Sequence, residues 1–238
     1  SSAASDVYKR QGIEFKSPTP ANDTKVSTYN DFVYINVSTS DASNNYSALV
    51  LKINRSSSGH SDDQWGIAYS TDGGSNWTEV ASNTTENLWD VFFYHSSLGF
   101  AVGDDGAVIK TTDAGNTWSA STHGTEDLNK VYFPTENVGY IVGDYGAIYK
   151  TLDEGSTWLD ISNSTIFSST FDIYFSDENT GIVVGDGYIH KTTDGGNTWV
   201  RKFSNYNLDQ KVIVPVSATD YLVFGEYGLM MQSTDSGE

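Results

Sequence analysis

Apolar positions in this chain never hold a helical period. They fall in short runs, alternating or continuous, cut by clusters of Gly, Asp, Asn, Ser and Thr, the pattern of short strands joined by turns. Over residues 128–162, LNKVYFPTENVGYIVGDYGAIYKTLDEGSTWLDIS, it predicts strand A at Asn129–Pro134, strand B at Gly139–Gly143, a tight turn at Asp144–Gly146, strand C at Ala147–Thr151, an acidic turn and strand D at Thr157–Ile161.

This unit recurs. The acidic turn reads STDGGSNW, TTDAGNTW, TLDEGSTW, TTDGGNTW and STDSGE, centred on Asp72, Asp113, Asp153, Asp194 and Asp235 at separations of 41, 40, 41 and 41 residues. A second motif precedes the last four: AVGDDGAVIK, IVGDYGAIYK, VVGDGYIHK and VFGEYGLMMQ. A four-stranded sheet of this size cannot bury both faces alone, so neighbouring units must stack radially. The expectation is an all-β propeller of four-stranded antiparallel blades, with the acidic turns between strands C and D. About five blades are present, in an incomplete ring: residues 31–81, 88–121, 128–162, 170–203 and a truncated 210–238. Residues 1–11, SSAASDVYKRQ, read as a translated sequencing-library adapter and 12–30 as a tail or remnant of a preceding blade, so the expected natural chain is longer.

Composition supports the strand reading: 18% charged, 13% aromatic, rich in Gly, with few helix formers. A formal charge of −18 disfavours nucleic acid and anionic lipid as partners, and no apolar run is long enough to span a membrane. The absence of cysteine removes disulfides and thiolate chemistry. His60, His95, His123 and His190 are scattered without metal-ligand spacing, and no cofactor or metal site is expected.

Within S/T-x-D-x-G-x-T/N-W the Asp is placed to accept backbone amides of its own turn, Gly supplies a positive φ, and the indole packs on the sheet. Asp72, Trp77, Asp113, Trp118, Asp153, Trp158, Asp194, Trp199 and Asp235 are therefore read as structural. On these residues the chain resembles the Asp-box, or bacterial neuraminidase repeat, propellers. The combination with the VGD turn, clearest over 90–118, 130–158 and 172–199, is closest to the photosystem II assembly and stability factor-like family and its non-photosynthetic relatives. That resemblance implies a non-catalytic scaffold, exported across a membrane to a periplasmic, surface or secreted location, that binds a partner protein. The family's arginine-rich patch is not matched: beyond residue 11 the arginines are Arg55 and Arg201.

The alternative is a sialidase-like or other glycan-binding or glycan-hydrolysing propeller. Sialidase chemistry needs three arginines converging on the substrate carboxylate, more than the two, Arg55 and Arg201, found beyond residue 11.

One constellation is a candidate binding rim. In such blades the B–C turns and D–A loops share a face, so Asp104, Asp105, Asp144, Tyr145, Asp186, Glu226 and Tyr227 are expected to line one rim, joined by Glu86, Glu126, Asp127 and Asp209. Asp and Gly suit tight turns for conformational reasons alone. The functional reading is a carboxylate ring with aromatic anchors for a protein, a basic peptide or a cation. Lys110, Lys150 and Lys191, just before three acidic turns, are expected on an exposed strand surface with no function.

Overall fold

The computed structural model describes residues 34–36, 47–53, 64–70, 78–162, 165–166, 168–205, 207–217 and 219–237, all within the unit Phe32–Glu238. Asp72, Trp77 and His60 lie outside them.

The described strands form five antiparallel sheets, four with four strands and one with three. Blade 1 contains β1 (Tyr34–Asn36), β2 (Ser47–Ile53), β3 (Gln64–Ser70) and β4 (Thr78–Val80); blade 2 contains β5 (Leu88–Phe93), β6 (Gly99–Gly103), β7 (Ala107–Thr111) and β8 (Ser119–Thr122). Blade 3 is β9 (Leu128–Tyr132), β10 (Gly139–Gly143), β11 (Ile148–Thr151) and β12 (Leu159–Asp160). Blade 4 is β13 (Thr170–Phe175), β14 (Gly181–Gly185), β15 (Tyr188–Thr192) and β16 (Val200–Ser204), and blade 5 is β17 (Gln210–Pro215), β18 (Tyr221–Gly225) and β19 (Met230–Ser233). In each sheet the strands pair in sequence order, and β5, β9, β13 and β17 neighbour one another as the inner strands. This is the all-β propeller the repeat predicts.

Apolar cores lie between blades. Phe100, Val102 and Val108 of blade 2 pack with Leu128, Val131, Phe133 and Ile141 of blade 3. Tyr140, Val142 and Ile148 of blade 3 meet Ile173, Phe175 and Val183 of blade 4, and Ile182, Val184 and Ile189 meet Ile213, Tyr221 and Val223 of blade 5. Stacked rings mark two of these seams: Phe100–Phe133 with centroids 4.4 Å apart and Tyr140–Phe175 at 4.0 Å. Burial of both faces explains why β6, β10 and β14 are buried along their whole length.

Each described inner strand of blades 2 to 5 carries a bulge near its start. Leu88 pairs with Gly103 but Asp90 with Val102, leaving Trp89 extra; Asn129, Phe171 and Lys211 are the extra residues in β9, β13 and β17. A bulge re-aims the side chains around it. Here it turns one residue towards the neighbouring blade and one towards the end of the sheet.

Candidate functional site

The acidic turns show one hydrogen-bond scheme. In blade 2 the Thr111 hydroxyl donates to Asp113 Oδ1 (2.9 Å) and accepts from Gly115 N–H (2.9 Å), while Thr117 donates its N–H to Oδ1 (2.8 Å) and its hydroxyl to Oδ2 (2.6 Å). Thr151, Asp153, Gly155 and Thr157 repeat it, as do Thr192, Asp194, Gly196 and Thr198. Ser233, Asp235 and Gly237 repeat its first half. Donors from Thr157, its N–H first and then its hydroxyl, hold the Asp153 carboxyl down at about 2, and the Thr117 and Thr198 hydroxyls lead the same effect on Asp113 and Asp194. Trp118, Trp158 and Trp199 sit edge-on to Phe93, Phe133 and Phe175 of their own blades. With their oxygens occupied by local donors, these carboxylates tie each turn together.

The VGD turns lie at the opposite ends of the strands. Asp104, Asp144, Asp186 and Glu226 each donate a backbone N–H to a D–A loop carbonyl, of Asn87 (2.9 Å), Asp127 (2.8 Å), Ser169 (3.0 Å) and Asp209 (3.0 Å). The preceding glycine permits that approach: a Cβ on Gly103 would lie 1.7 Å from the Asn87 oxygen and one on Gly143 2.2 Å from that of Asp127. The B–C turns and D–A loops therefore do share a face.

The seven rim candidates divide into two groups. Asp104 and Asp144 are half-buried, and a D–A loop residue and the bulge residues reach them: Asn87 Nδ2 donates to Asp104 Oδ2 (2.7 Å), Trp89 Nε1 donates to Asp104 Oδ1, and Asn129 Nδ2 donates to Asp144 Oδ1 (2.9 Å). Asp105, Tyr145, Asp186, Glu226 and Tyr227 are exposed. Partial desolvation and the neighbouring Asp209 push the Asp186 carboxyl up, with Glu226 adding to it and Lys211 opposing it. Lys211 in turn donates to Asp209 Oδ2 (2.7 Å) and lies 3.6 Å from the Phe171 ring centroid.

Tyr145 and Tyr227 are 80% and 90% exposed. Each occupies the first central position of a tight turn closed by Ala147 N–H to Asp144 O and by Leu229 N–H to Glu226 O. Their φ angles are 54° and 51°, followed by Gly146 at 77° and Gly228 at 78°. Two successive positive φ angles define a type I′ hairpin turn, where Asn or Asp is the usual first residue. A bulky side chain there is conformationally costly.

The structure corrects one expectation. Lys110 and Lys150 are inter-blade ties: Lys110 Nζ donates to Glu154 O (2.6 Å) and Lys150 Nζ to Gly195 O (2.8 Å), each in the acidic turn of the next blade. They lie over Phe100 and Tyr140, with Nζ 5.7 and 5.3 Å from the ring centroids, and Lys191 is buried.

Sequence reading also missed a charged cluster on the inner strands. Asp90 and Asp172 are buried; Asp90 Oδ2 accepts Val131 N–H (3.0 Å) and Asp172 Oδ2 accepts Ile213 N–H (2.8 Å), both from the next blade. Lys130 Nζ donates to Asp90 Oδ1 (3.2 Å) and lies 4.0 Å from Asp172 Oδ1. Burial drives the Asp172 carboxyl up against the pull of Lys130 and two N–H donors. The signal was the D, K, D alternation at equivalent positions of WDVFF, NKVYF and FDIYF. Among the described residues, no group of three His, Cys, Asp or Glu is placed to hold a metal.

Repeated acidic turns on stacked four-stranded sheets define the class: this chain is an Asp-box β-propeller. The family model described as photosynthesis system II assembly factor YCF48 matches residues 69–167. Over that stretch, less than half of the chain, it is similar to the YCF48 propellers. Among solved structures, YCF48 from Cyanidioschyzon merolae is similar at 16% identity and TM-score 0.60, over 79% of this chain and 63% of that one. A GH74 enzyme from Niastella koreensis is similar at 22% identity and TM-score 0.59, over 82% of this chain and 36% of that one. A YCF48 bound to D1 peptide aligns at 16% identity and TM-score 0.48, over 67% of this chain and 81% of that one. At these identities the likeness is one of fold. This chain thus spans less than two thirds of the length of the C. merolae protein. No curated protein matches the chain.

Proposed function

We propose that this chain is a non-catalytic, exported scaffold that binds a partner protein or basic peptide on the face where the B–C turns meet the D–A loops. The observation that carries the reading is the pair Tyr145 and Tyr227, held exposed in left-handed turn positions on the face that also exposes Asp105, Asp186 and Glu226. Residues kept in costly conformations at a surface point to a use for that surface, and exposed aromatics flanked by charge are anchors that interfaces favour. A chain of charge −18 attracts cationic partners and repels anionic ones. The match to the YCF48 family model supports a binding rather than a catalytic role, and export follows from that likeness alone.

The second reading, glycan binding, draws on the same tyrosines and on the GH74 fold neighbour. Salt separates the two. Fluorescence anisotropy with a Lys/Arg-rich peptide should show binding that weakens steeply as salt is added, and at least tenfold in Asp105→Asn/Asp186→Asn/Glu226→Gln and in Tyr145→Ala/Tyr227→Ala. Equal affinity in both variants would remove the rim as the site. Salt-independent retention on a neutral oligosaccharide matrix would favour the glycan reading.

A further inference from the structure

The outer strands of blades 1 to 4 each present a free edge, and three of the four are protected against pairing. β4 carries Glu79, β12 is two residues long and carries Asp160, and β16 carries Arg201 and Lys202 beside a register shift opposite Ile189 and His190. Charge, shortness and bulges are the ordinary devices that stop an edge from taking another strand. β8 has none of them: its four residues are uncharged and exposed, and they pair with β7 without a register shift. Blade 1 packs on one face of blade 2 and blade 3 on the other, so this edge faces outward rather than towards an end of the chain.

His123 donates its N–H to Gly106 O. Alternation along the antiparallel ladder then turns the N–H and C=O of Ser119 and Ser121 towards β7, and those of Trp118, Ala120 and Thr122 outward. One outward group is already taken: Asn83 Nδ2 donates to Trp118 O (2.6 Å). Asn83 lies in the loop after β4 with a φ of 58°, and that loop is braced by Ser82 Oγ donating to Thr84 O (3.1 Å) and Glu86 N–H donating to Thr84 Oγ1 (3.1 Å). Between the loop and β8 lies a groove of about 530 Å³ lined by Asn83, Thr84, Thr85, Ala120, Ser121 and Thr122. Its walls are hydroxyl, amide and methyl groups, without an ionisable side chain.

We infer that β8 accepts a fifth strand from another polypeptide, an extended and uncharged segment of Thr, Ser and Val character. Its main chain exchanges N–H and C=O bonds with Ala120 and Thr122, and its alternate side chains enter the groove. An acidic segment is repelled by a chain of charge −18, and a basic one finds no carboxylate in the groove wall. Two copies joined through β8 would share only a four-residue strand, far short of the roughly 1,000 Å² that a stable interface needs. A short foreign strand is therefore the occupant that fits. The site lies on the outer strand of blade 2 and shares no residue with the rim.

Fluorescence anisotropy on the full chain tests this, with a labelled, end-blocked peptide of alternating Thr and Val carrying Gln at each end. The expected result is saturable binding that salt leaves unchanged, since no charge takes part. The same peptide N-methylated along its backbone should not bind. Ala120→Pro should weaken binding about tenfold, the worth of a lost main-chain hydrogen bond, with an unchanged circular dichroism spectrum, because the Ala120 N–H lies outside the β7 ladder and an edge strand tolerates Pro there. If that variant misfolds, Thr85→Trp, which fills the groove from its other wall, should weaken binding to a smaller degree. Asp105→Asn/Asp186→Asn/Glu226→Gln should bind this peptide as the parent does, so the rim and the edge fail separately. No binding at any salt overturns the inference, as does equal binding of the N-methylated peptide or equal affinity in the Ala120 and Thr85 variants. A dimer that Ala120→Pro dissolves overturns it too, in favour of a second copy as the occupant.

Discussion

The Asp90 carboxylate accepts the backbone N–H of Val131, a residue 41 positions later in the next blade, at 3.0 Å. Asp172 does the same to Ile213, and Lys130 serves both carboxylates. Removing one partner of a buried ion pair leaves an uncompensated charge, at a cost of about 3–5 kcal/mol.

Lys130→Met should therefore lose on the order of 3 kcal/mol in urea unfolding at pH 7. The loss should shrink towards pH 5, since the folded-state pKa of Asp172 is already raised by burial and protonation relieves the stranded charge. For such a group the folded state holds its proton more tightly than the unfolded chain, so acidification through the raised pKa adds stability. Asp172→Asn should flatten that gain. A Lys130→Met deficit equal at both pH values would contradict this account.

Lys150→Met should destabilise by about 1–2 kcal/mol, the scale of a charge-assisted hydrogen bond, through its contact to Gly195 O. Burial holds the Lys150 ammonium below its ordinary pKa, so the bond is made by a partly desolvated group. Lys150→Gln, which keeps a donor, should recover part of the loss. Amide exchange should speed up in residues 192–199, the acidic turn of the next blade, more than in blade 3 itself.

The carboxyls of Asp113, Asp153 and Asp194 are depressed below their ordinary range by donors in their own turns. The contribution of Asp153 is complete above the unfolded value near 4 and is lost as pH falls towards about 2, and those of Asp113 and Asp194 are lost in the same direction as pH falls through their depressed folded values. Stability should drop across that window. Asp153→Asn should be less stable at pH 7 and show a shallower acid slope; an unchanged slope would mean other groups dominate acid unfolding.

His190 is buried, and burial with Arg201 lowers its pKa to about 4. Neutral His190 therefore stabilises the fold above pH 6.5, and that contribution fades as pH falls from 6.5 to about 4. Tyr149 occupies the equivalent place in blade 3, so His190→Tyr should fit. The variant should lose less stability than the parent between pH 6.5 and 4, which a melting-temperature series would register.

Tyr145→Gly should raise stability by about 1 kcal/mol, because glycine adopts the φ of 54° without steric cost. The same change should weaken the peptide binding proposed for the rim. A variant that is both more stable and equally tight would assign Tyr145 no role there.

The 41-residue period, the blade count and the acidic turns were legible because each rests on contacts within a few residues. Thr111, Asp113 and Thr117 close their turn locally, and the motif carries its own explanation. The register of strands B and C, with Gly139 opposite Thr151 and Val142 opposite Ile148, follows from the tight turn between them. The inner-strand bulge was not legible, because nothing in LNKVYF marks Asn129 as the extra residue; the bulge forms where β9 pairs with β10.

Sequence by itself thus determined the propeller class and the face on which the VGD turns lie. Only the tertiary structure decided which carboxylates on that face are spent, Asp104 and Asp144 on Asn87, Trp89 and Asn129, and which stay exposed. It likewise turned Lys110 and Lys150 from surface residues into clasps on the next blade. The physical reasons differ. The inner-strand bulge, set by how two strands of one blade pair, brings Trp89 and Asn129 to Asp104 and Asp144, whereas the lysine clasps are set by how one twisted sheet is displaced against its neighbour, and local pattern encodes neither relation.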